Sequence, residues 1–264
     1  MLKMEGVSFS YHRSKPTIKD LDLSVEMGKI TTIVGPNGCG KSTVLKLASG
    51  LLKPQTGRIL LNGENISYLS RRSAAKQVSV LFQNSQIPDM TALCAVEAAR
   101  YPYQSPFAGC TKEEKEMSEY AMELTGCKEY WHKHMAELSG GERQRVFLAM
   151  IYNQDTPLIL LDEPTTYLDI YVTYEIMELI RYLNKRKKKT VVMVLHDLNL
   201  ALQYSDSVIL MNQGRIFNIH STGDDQILES IRTLFGVEVR SFRDNQNSYY
   251  CFAQSVDNDK IILD

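Results

Sequence analysis

The sequence predicts an α/β fold built on a parallel sheet, with a small antiparallel sheet in front and an inserted helical subdomain. Three observations lead to this class. Mainly apolar runs at 30–34, 158–161 and 190–195, the first of them rich in β-branched residues, are typical of buried parallel strands. Residues 2–25 instead contain two neighbouring runs that indicate an antiparallel pair. Between residues 84 and 153, strand-like runs vanish and helical patterns replace them.

The composition is ordinary for a globular protein with a sizeable core, since 44% of the 264 residues are hydrophobic and 23% are charged. The net charge of −1 provides no global basic field for nucleic acid. The five cysteines include no C-x-x-C pair, which argues against a disulfide framework or a zinc site. Because no apolar stretch approaches ~18 residues and no signal peptide is visible, we expect any role at a membrane to require a partner.

The front sheet is predicted from two strands and a hairpin. Leu2 to Tyr11 alternates loosely, and Ile18 to Val25 reads as its antiparallel partner. Arg58 to Leu61 runs into Asn62-Gly63, a strong hairpin signal. Tyr11 closes the first strand, and its position alone is equally typical of an ordinary edge aromatic residue.

A phosphate-binding loop follows the next strand. The segment Gly35-Pro36-Asn37-Gly38-Cys39-Gly40-Lys41-Ser42-Thr43 fits G-x-x-x-x-G-K-[ST]. Glycines allow backbone amides to turn onto a triphosphate without a Cβ clash. Lys41 places a charge near the β- and γ-phosphates, and the Ser42 hydroxyl can bind Mg²⁺. Because Ser42 to Leu52 reads as a helix whose N-terminus adds to this anion site, the chain is predicted to bind a nucleoside triphosphate.

The inserted helical subdomain comes after the strand Gln77 to Phe82, which ends at Gln83. Thr91 to Arg100 reads as its first helix. A capping box at Thr111 opens another helix. The residues predicted on the packed face of that helix are Met117, Ala121 and Leu124.

The segment Leu138-Ser139-Gly140-Gly141-Glu142-Arg143-Gln144-Arg145, called the signature segment below, contains a second capping box. Ser139 and Glu142 form this box, so a helix is predicted to run from here to about Asn153. The two glycines leave the first amides of the helix uncrowded, which suits an anion. A capping box alone is equally typical of a purely structural helix.

Two strand ends carry candidate catalytic side chains. Leu158 to Leu161 runs directly into Asp162 and Glu163, and Thr190 to Leu195 ends in His196. Open α/β sheets place ligand chemistry at the carboxyl ends of their strands. Adjacent carboxylates are costly there unless a cation or a substrate proton needs them. Asp162 suits Mg²⁺ through water, Glu163 suits a general base, and His196 can reach a γ-phosphate.

The basic run Lys185–Lys189 follows a predicted helix over Tyr171 to Asn184. We interpret this run first as a solvated loop, then as a surface near anionic lipid, and last as a nucleic-acid patch. The remaining predictions are a hairpin over 208–216, a helix over Asp225 to Phe235 and a strand over Tyr249 to Phe252, none with visible chemistry.

Taken in order, these motifs resemble an ATP-binding cassette (ABC) ATPase. They are the phosphate loop, the glutamine after the next strand, LSGGERQR, LILLDEP, Thr166-Tyr167-Leu168-Asp169 and the strand-end histidine. LSGGERQR is the most specific, because ordinary P-loop GTPases and kinases lack it. The resemblance covers residues 1–225 and implies a P-loop NTPase (RecA-like) core with 84–153 as the helical subdomain. It leaves 226–264 as a C-terminal extension without a known role.

The resemblance implies how ATP and Mg²⁺ would be held. Tyr11 would stack on adenine, and the loop Gly35 to Thr43 would wrap the triphosphate. Ser42, Gln83 and Asp162 would hold Mg²⁺, the last through water.

It also implies the catalytic and interface roles. Glu163 would polarise the attacking water, His196 would contact the γ-phosphate, and Gln83 would join them in catalysis. The stretch Ser139 to Gly141 would close over the ATP of the opposite subunit, with Asp169 lining the interface.

One phosphate loop and one signature segment in a chain imply a homodimer with two equivalent ATP sites. Multi-span membrane permease subunits would carry the transport path, and a substrate-binding protein would be an indirect partner. The helical subdomain and the loop after Gln83 would receive a cytoplasmic helix from each permease subunit. The resemblance therefore implies a peripheral protein at the cytoplasmic face of a bacterial plasma membrane that does not bind nucleic acid.

The subfamily is predicted from segments 164–170, 195–201 and 100–103, which look like those of ferric-siderophore, haem and cobalamin importer ATPases. Zinc or manganese importers share much of this pattern, and an exporter or lipoprotein-release system remains a further alternative. A soluble ABC ATPase of DNA repair or translation is a different class. Repair types carry a long coiled coil before the signature segment, and translation factors carry two cassettes; neither feature is visible here.

Overall fold

The computed structural model describes residues 1–12, 16–83, 86–105, 109–243 and 248–254. Its strands in these ranges form a four-stranded sheet, a six-stranded sheet and a two-stranded hairpin. They are β1 (Leu2–Phe9), β2 (Ile18–Val25), β3 (Ile30–Val34), β4 (Thr56–Leu61), β5 (Glu64–Asn65), β6 (Val78–Leu81), β7 (Leu158–Asp162), β8 (Thr190–Val194), β9 (Ser207–Asn212), β10 (Arg215–Ser221), β11 (Val237–Arg243) and β12 (Ser248–Gln254).

The α-helices lie between these strands, in the insertion and near the C-terminus. They are α1 (Lys41–Ala48), α2 (Arg71–Ala75), α3 (Ala92–Ala98), α4 (Lys112–Leu124), α5 (Gly140–Gln154), α6 (Ile170–Lys187), α7 (Leu198–Tyr204) and α8 (Gln226–Phe235). Among the residues that the structure describes, no helix combines the length and the apolar character needed to cross a membrane.

The six-stranded sheet has the order β10-β9-β3-β8-β7-β6, and only its edge strand β10 pairs antiparallel. Alternate side chains leave opposite faces. Leu158 and Leu160 of β7 pack with α1 and the front sheet, whereas Ile159 and Leu161 pack with α5 to α8. Because both faces are covered, the inner strands are apolar throughout, which confirms the predicted parallel sheet.

The front sheet has the order β2-β1-β4-β5 and is antiparallel. Its predicted hairpin turn is present, with φ of 52° at Asn62 and 87° at Gly63, the left-handed pair that a type I′ turn requires. Its buried side chains, such as Leu2 and Ile59, join the apolar cluster around α1. The predicted N-terminal antiparallel subdomain is therefore confirmed.

The helical segment packs around an apolar cluster of its own, built by α3, α4 and α5. Thr111 opens α4 with both hydrogen bonds of the predicted capping box, and Ser139 opens α5 in the same way. Helix α3 is shorter than the predicted helix, whereas the bounds of α5 follow the prediction closely. The inserted helical subdomain is thus present between β6 and β7.

The predicted packed face of α4 is wrong at Met117, which is 39% exposed. The buried residues are Ser118, Ala121 and Met122, so Ala121 is buried as predicted and Ser118 takes the place of Met117. Ser118 tolerates burial because its hydroxyl donates to the carbonyl of Glu114 at 2.8 Å and accepts from Asn153 Nδ2 at 2.8 Å. A buried hydroxyl with both partners costs little, so helix packing overrides the apolar pattern here.

Helix α6 runs beyond its predicted end into the basic run Lys185–Lys189. Lysine and arginine are good helix formers and complement the dipole at a helix C-terminus. Lys185 Nζ lies 3.4 Å from Asp206 Oδ1, and Lys189 Nζ lies 2.6 Å from Asp155 Oδ1. These internal ion pairs favour a structural role for the run over a lipid or nucleic-acid surface.

The described part of the C-terminal region packs on the central sheet. Ile227 and Ile231 of α8 and Val239 of β11 are buried in the same apolar cluster as β3 and β8. The strand β12 lies where the sequence predicts one, whereas its partner β11 was not predicted.

Candidate functional site

The phosphate loop connects β3 to α1, and two of its glycines are required by their surroundings. A Cβ at Gly35 would lie 2.3 Å from the carbonyl oxygen of Met211. At Gly40, φ is 108°, and a Cβ would lie 2.7 Å from Ile18. The loop is thus pressed between the central sheet and the front sheet, where only glycine fits.

Lys41 is buried and folds back over this loop, where its Nζ donates to the carbonyl oxygens of Gly35 at 2.8 Å and Pro36 at 3.2 Å. The neighbouring Cys39 is also buried, and burial raises the pKa of its thiol, although the Lys41 charge opposes this shift. Cys39 is therefore a neutral small side chain in the loop, and Lys41 supplies the positive charge.

The loop opens onto two adjoining clefts that share Thr17 and Gly38. The narrower cleft, of about 250 Å³, lies between the loop and the side chains of Glu163 and His196. The wider one, of about 680 Å³, is bordered by Tyr11. Together they form one trough with a phosphate end and an aromatic end.

Tyr11 lies two residues beyond the end of β1 and is half exposed. The ring of Phe9 meets it edge-on at 4.9 Å, and its hydroxyl lies 3.5 Å from Thr43 Oγ1 in the phosphate loop. These contacts hold the half-exposed ring at the mouth of the trough, where an aromatic side chain can stack on a base.

Ser42 and Asp162 form the candidate metal site. The Ser42 hydroxyl donates to Asp162 Oδ1 at 3.0 Å, which joins the first turn of α1 to the end of β7. Burial raises the pKa of Asp162, the adjacent Glu163 raises it further, and the Ser42 hydrogen bond opposes both. A buried carboxylate beside a hydroxyl is an oxygen donor set that fits Mg²⁺, whose charge would offset the cost of burial.

Glu163 follows directly, at the end of β7, with φ of 54° in the left-handed region. Its side chain is only 9% exposed. His196 Nε2 lies 2.5 Å from Oε1 and donates, because an ionised carboxylate only accepts. Gln83 Nε2 and Thr166 Oγ1 donate to Oε2 at 2.5 Å and 3.0 Å. Gln83 therefore contacts the candidate base here, whereas the sequence predicts it as a metal ligand as well.

Thr166 is the polar contact that the sequence analysis missed as a site residue. It stands in the segment Thr166-Tyr167-Leu168-Asp169 and was used only as part of a motif. The signal available was its position three residues after Glu163, which becomes a contact only because the backbone turns sharply at Glu163.

The signature segment lies apart from the trough. Ser139, Gly140 and Gly141 are not among the described residues that line the two clefts. A Cβ at Gly140 would meet nothing within 4 Å, so this side of the α5 N-terminus is open. Gln144 Nε2 donates to the carbonyl of Pro164 at 2.7 Å and ties the helix to the turn after Glu163.

Asp169 caps α6, because its carboxylate accepts from the amide of Val172 at 2.9 Å. Its predicted interface role remains a prediction. Large apolar side chains beside it are strongly exposed, with 96% for Tyr167, 79% for Ile170 and 72% for Tyr171. Contiguous exposed apolar side chains of this kind mark an interaction surface.

A family model described as "ABC transporter" matches residues 18–166. The petrobactin import ATP-binding protein FpuD of Bacillus anthracis is 43% identical over 201 residues, 76% of this chain and 74% of that protein. The iron(3+)-hydroxamate import ATP-binding protein FhuC of Bacillus subtilis (strain 168) is 38% identical over 228 residues, 86% of this chain and 85% of that protein. Among solved structures, a dimeric post-hydrolysis state of the ATP-binding cassette MJ0796 bound to ADP and Pi superposes with a TM-score of 0.76 at 28% identity, covering 84% of this chain and 99% of that one.

Proposed function

This chain belongs to the ABC transporter family, and we propose that it is the ATP-hydrolysing subunit of an importer for iron–siderophore complexes. The observation that carries the hydrolytic part is the shared cleft, in which the phosphate loop faces Glu163 and His196. The cargo is supported by the printed names of FpuD and FhuC, which are import proteins for petrobactin and iron(3+)-hydroxamate.

ATP binds along the trough. The phosphate loop and the N-terminus of α1 line its phosphate end, where the helix dipole favours an anion. Lys41 brings its charge to the β- and γ-phosphates, and the half-exposed ring of Tyr11 stacks on adenine. Tyr11 is already held by contacts within the chain, whereas Lys41 Nζ would exchange its bonds to the carbonyls of Gly35 and Pro36 for bonds to phosphate.

Mg²⁺ would be held by Ser42 and Asp162, with Gln83 as a third ligand. When bound, it would neutralise charge on the phosphates. The hydrogen bond between Ser42 and Asp162 already brings two of these oxygen atoms within 3.0 Å of each other.

Glu163 acts as the general base toward the attacking water. It stands at the carboxyl end of a buried strand, where hydrogen bonds fix its direction and burial limits its contact with bulk solvent. His196 is 47% exposed on the open side of the cleft and reaches the γ-phosphate. Glu163 therefore activates the water, and His196 holds the γ-phosphate that is transferred to it.

The site is completed by a second copy of the chain. Ser139 to Gly141 close over the ATP of the partner, and the exposed Tyr167 next to Asp169 enters the same interface. The dimeric state of the similar MJ0796 cassette supports this arrangement. ATP closes the dimer and hydrolysis reopens it, which shifts the permease between its states.

The transport path lies in separate multi-span permease subunits, which dock on the helical subdomain and the loop after Gln83. A substrate-binding protein delivers cargo to them from the other side. The chain is thus placed peripherally at the cytoplasmic face of a bacterial plasma membrane.

Glu163→Gln tests the catalytic assignment. We expect this variant to bind ATP and to accumulate as a closed dimer on size-exclusion chromatography, with ATPase activity reduced at least roughly 100-fold. Hydrolysis at the parental rate would remove Glu163 from the role of base.

Uptake tests the cargo. A strain lacking this chain is supplied with labelled ferric siderophores of hydroxamate and catecholate type, haem, cobalamin, zinc or manganese. Loss of ferric-siderophore uptake alone, restored by the parental gene but not by Glu163→Gln, is the expected result. Loss of haem, cobalamin, zinc or manganese uptake instead would reassign the importer, and recovery of the chain only with ribosomes or DNA would exclude it.

A further inference from the structure

The carboxylate of Glu163 meets three side chains, and the proposed reaction leaves one of them without a role. His196 binds one oxygen, and Gln83 and Thr166 bind the other. We propose that the Thr166 hydroxyl is the contact that keeps Glu163 aimed at the attacking water while ATP is bound. Thr166 is then a positioning residue for hydrolysis, and this inference rests on the proposed function of the same site.

Of the three side chains that bind Glu163, only Thr166 has no proposed contact with the nucleotide or Mg²⁺. The proposed roles of His196 and Gln83 direct both side chains to the nucleotide, the first to the γ-phosphate and the second to Mg²⁺. His196 cannot donate the same N–H to the γ-phosphate and to Glu163, and Gln83 keeps Nε2 on Glu163 only if its amide stays in place when Oε1 takes Mg²⁺. Thr166 has no atom assigned to ATP or Mg²⁺, so its hydroxyl can stay with Glu163 throughout the reaction.

The turn from Glu163 to Thr166 makes this contact local. The Thr166 amide donates to the carbonyl of Glu163 at 3.3 Å, and its hydroxyl donates to Oε2 of the same residue at 3.0 Å. The left-handed φ of Glu163 lets both bonds form across three residues. Two bonds to one residue leave the carboxylate little freedom to rotate unless the turn itself opens.

The turn is anchored on the side of the signature segment. Gln144 of α5 donates to the carbonyl of Pro164 at 2.7 Å, inside the turn. Tyr167 follows Thr166 directly, with φ of 64° and a side chain that is 96% exposed. The hydroxyl therefore lies between the base and the surface offered to the second subunit.

Burial makes the hydroxyl hard to replace. The Glu163 side chain is 9% exposed, so water does not freely take over a lost hydrogen bond. Hydrogen bonds to charged groups are among the stronger ones in proteins, and small misplacements of a reacting group are costly in rate. Loss of this contact is therefore expected to reduce the rate of hydrolysis more than ATP affinity.

The test compares Thr166→Val, which keeps the β-branched shape without the hydroxyl, with Thr166→Ser, which keeps the hydroxyl. Thr165→Val is the matched control, because the neighbouring Thr165 side chain makes no hydrogen bond within the described ranges of the chain. We expect Thr166→Val to lower kcat roughly 10- to 100-fold with KM within about twofold of the parental value. Thr166→Ser should recover kcat to within about threefold, and Thr165→Val should stay near the parental rate.

A second measurement separates positioning from folding and from assembly. Thr166→Val is combined with Glu163→Gln, and the ATP-bound dimer is measured by size-exclusion chromatography. We expect as much closed dimer as with Glu163→Gln alone, because the hydroxyl acts on the base and not on the interface. Loss of the dimer in the double variant would overturn the proposal.

Two further outcomes would also overturn it. Parental kcat in Thr166→Val would show that the hydroxyl is dispensable, and equal loss in Thr166→Ser would trace the effect to the methyl group. Absence of ATPase activity in the parental chain would instead contradict the proposed function, so the two failures are distinguishable.

Discussion

The candidate site has two halves, and they differ in whether their residues bind partners within the chain or face outward. In the phosphate half, which comprises Gly35–Thr43, Asp162 and Glu163, the polar side chains of Lys41, Ser42 and Glu163 bind partners within the same chain. In the signature half, which comprises Ser139–Gly141 and Tyr167, the surface is open, and Tyr167 is 96% exposed. One chain thus builds the first half internally and presents the second half outward. Substitutions in the phosphate half should therefore change ATP binding by the single chain, whereas substitutions in the signature half should change its dimerisation.

Lys41→Ala should have the largest effect, because it removes the buried charge at the centre of the phosphate half. We expect ATP affinity to fall at least roughly 100-fold, since a desolvated ion pair with phosphate is lost. Isothermal titration calorimetry measures this change, with the exposed Lys53→Ala as a control of equal charge. Tight ATP binding by Lys41→Ala would contradict the predicted phosphate contact.

Gly140→Arg should abolish dimerisation without changing ATP binding by the single chain. A side chain at Gly140 meets open space within the chain, so we expect the fold and the ATP affinity of the single chain to stay within about twofold. The ATP-dependent dimer should be lost and ATPase activity should fall roughly 100-fold, because the partner can no longer approach. Calorimetry and size-exclusion chromatography in the Glu163→Gln background measure the two quantities. A dimer that still forms would show that the open surface at Gly140 lies outside the interface.

Asp162→Asn should have the smallest of these effects, a change in how the free energy of unfolding depends on pH. The pKa of Asp162 is raised in the folded chain, so the folded state holds its proton more tightly than the unfolded state. Its contribution to the free energy of unfolding is therefore greatest below the ordinary aspartate pKa and falls as pH rises through the raised folded pKa. Urea unfolding from pH 3 to pH 7 should show that the free energy of unfolding of the parental chain, relative to that of Asp162→Asn, falls as pH rises.

Added Mg²⁺ provides the complementary measurement at neutral pH. It should raise the unfolding midpoint of the parental chain more than that of Asp162→Asn, because the cation binds a carboxyl group that only the parental chain carries. Equal pH profiles and equal responses to Mg²⁺ would contradict the assignment of the raised pKa to a metal-ready carboxylate.

The parallel core was predictable because burial on both faces leaves a continuous apolar pattern, as in Leu158 to Leu161. The strand-end positions of Asp162, Glu163 and His196 follow from that pattern and from the rule for open sheets. The capping boxes at Thr111 and Ser139 were equally visible, since each depends on residues three positions apart.

Other features depend on contacts that no local pattern contains. The position of Ser118 in the core rather than Met117 rests on Asn153, a partner from a different helix. The contact of Thr166 with Glu163 rests on the left-handed backbone of a non-glycine residue, which sequence rules treat as rare. The contact of Gln83 with Glu163 joins two strand ends and became visible only in three dimensions.

The strand order has a consequence for synthesis on the ribosome. β3, which leads into the phosphate loop, lies between β8 and β9, and its neighbours Val191 and Ser207 are made long after it. At ~5–20 residues per second, the delay is on the order of 10 s or more. Throughout that time an apolar, β-branched segment is without its native neighbours. Strand β3 can pair with its two neighbours only after β8 and β9 have been made, so the complete phosphate site forms near the end of translation.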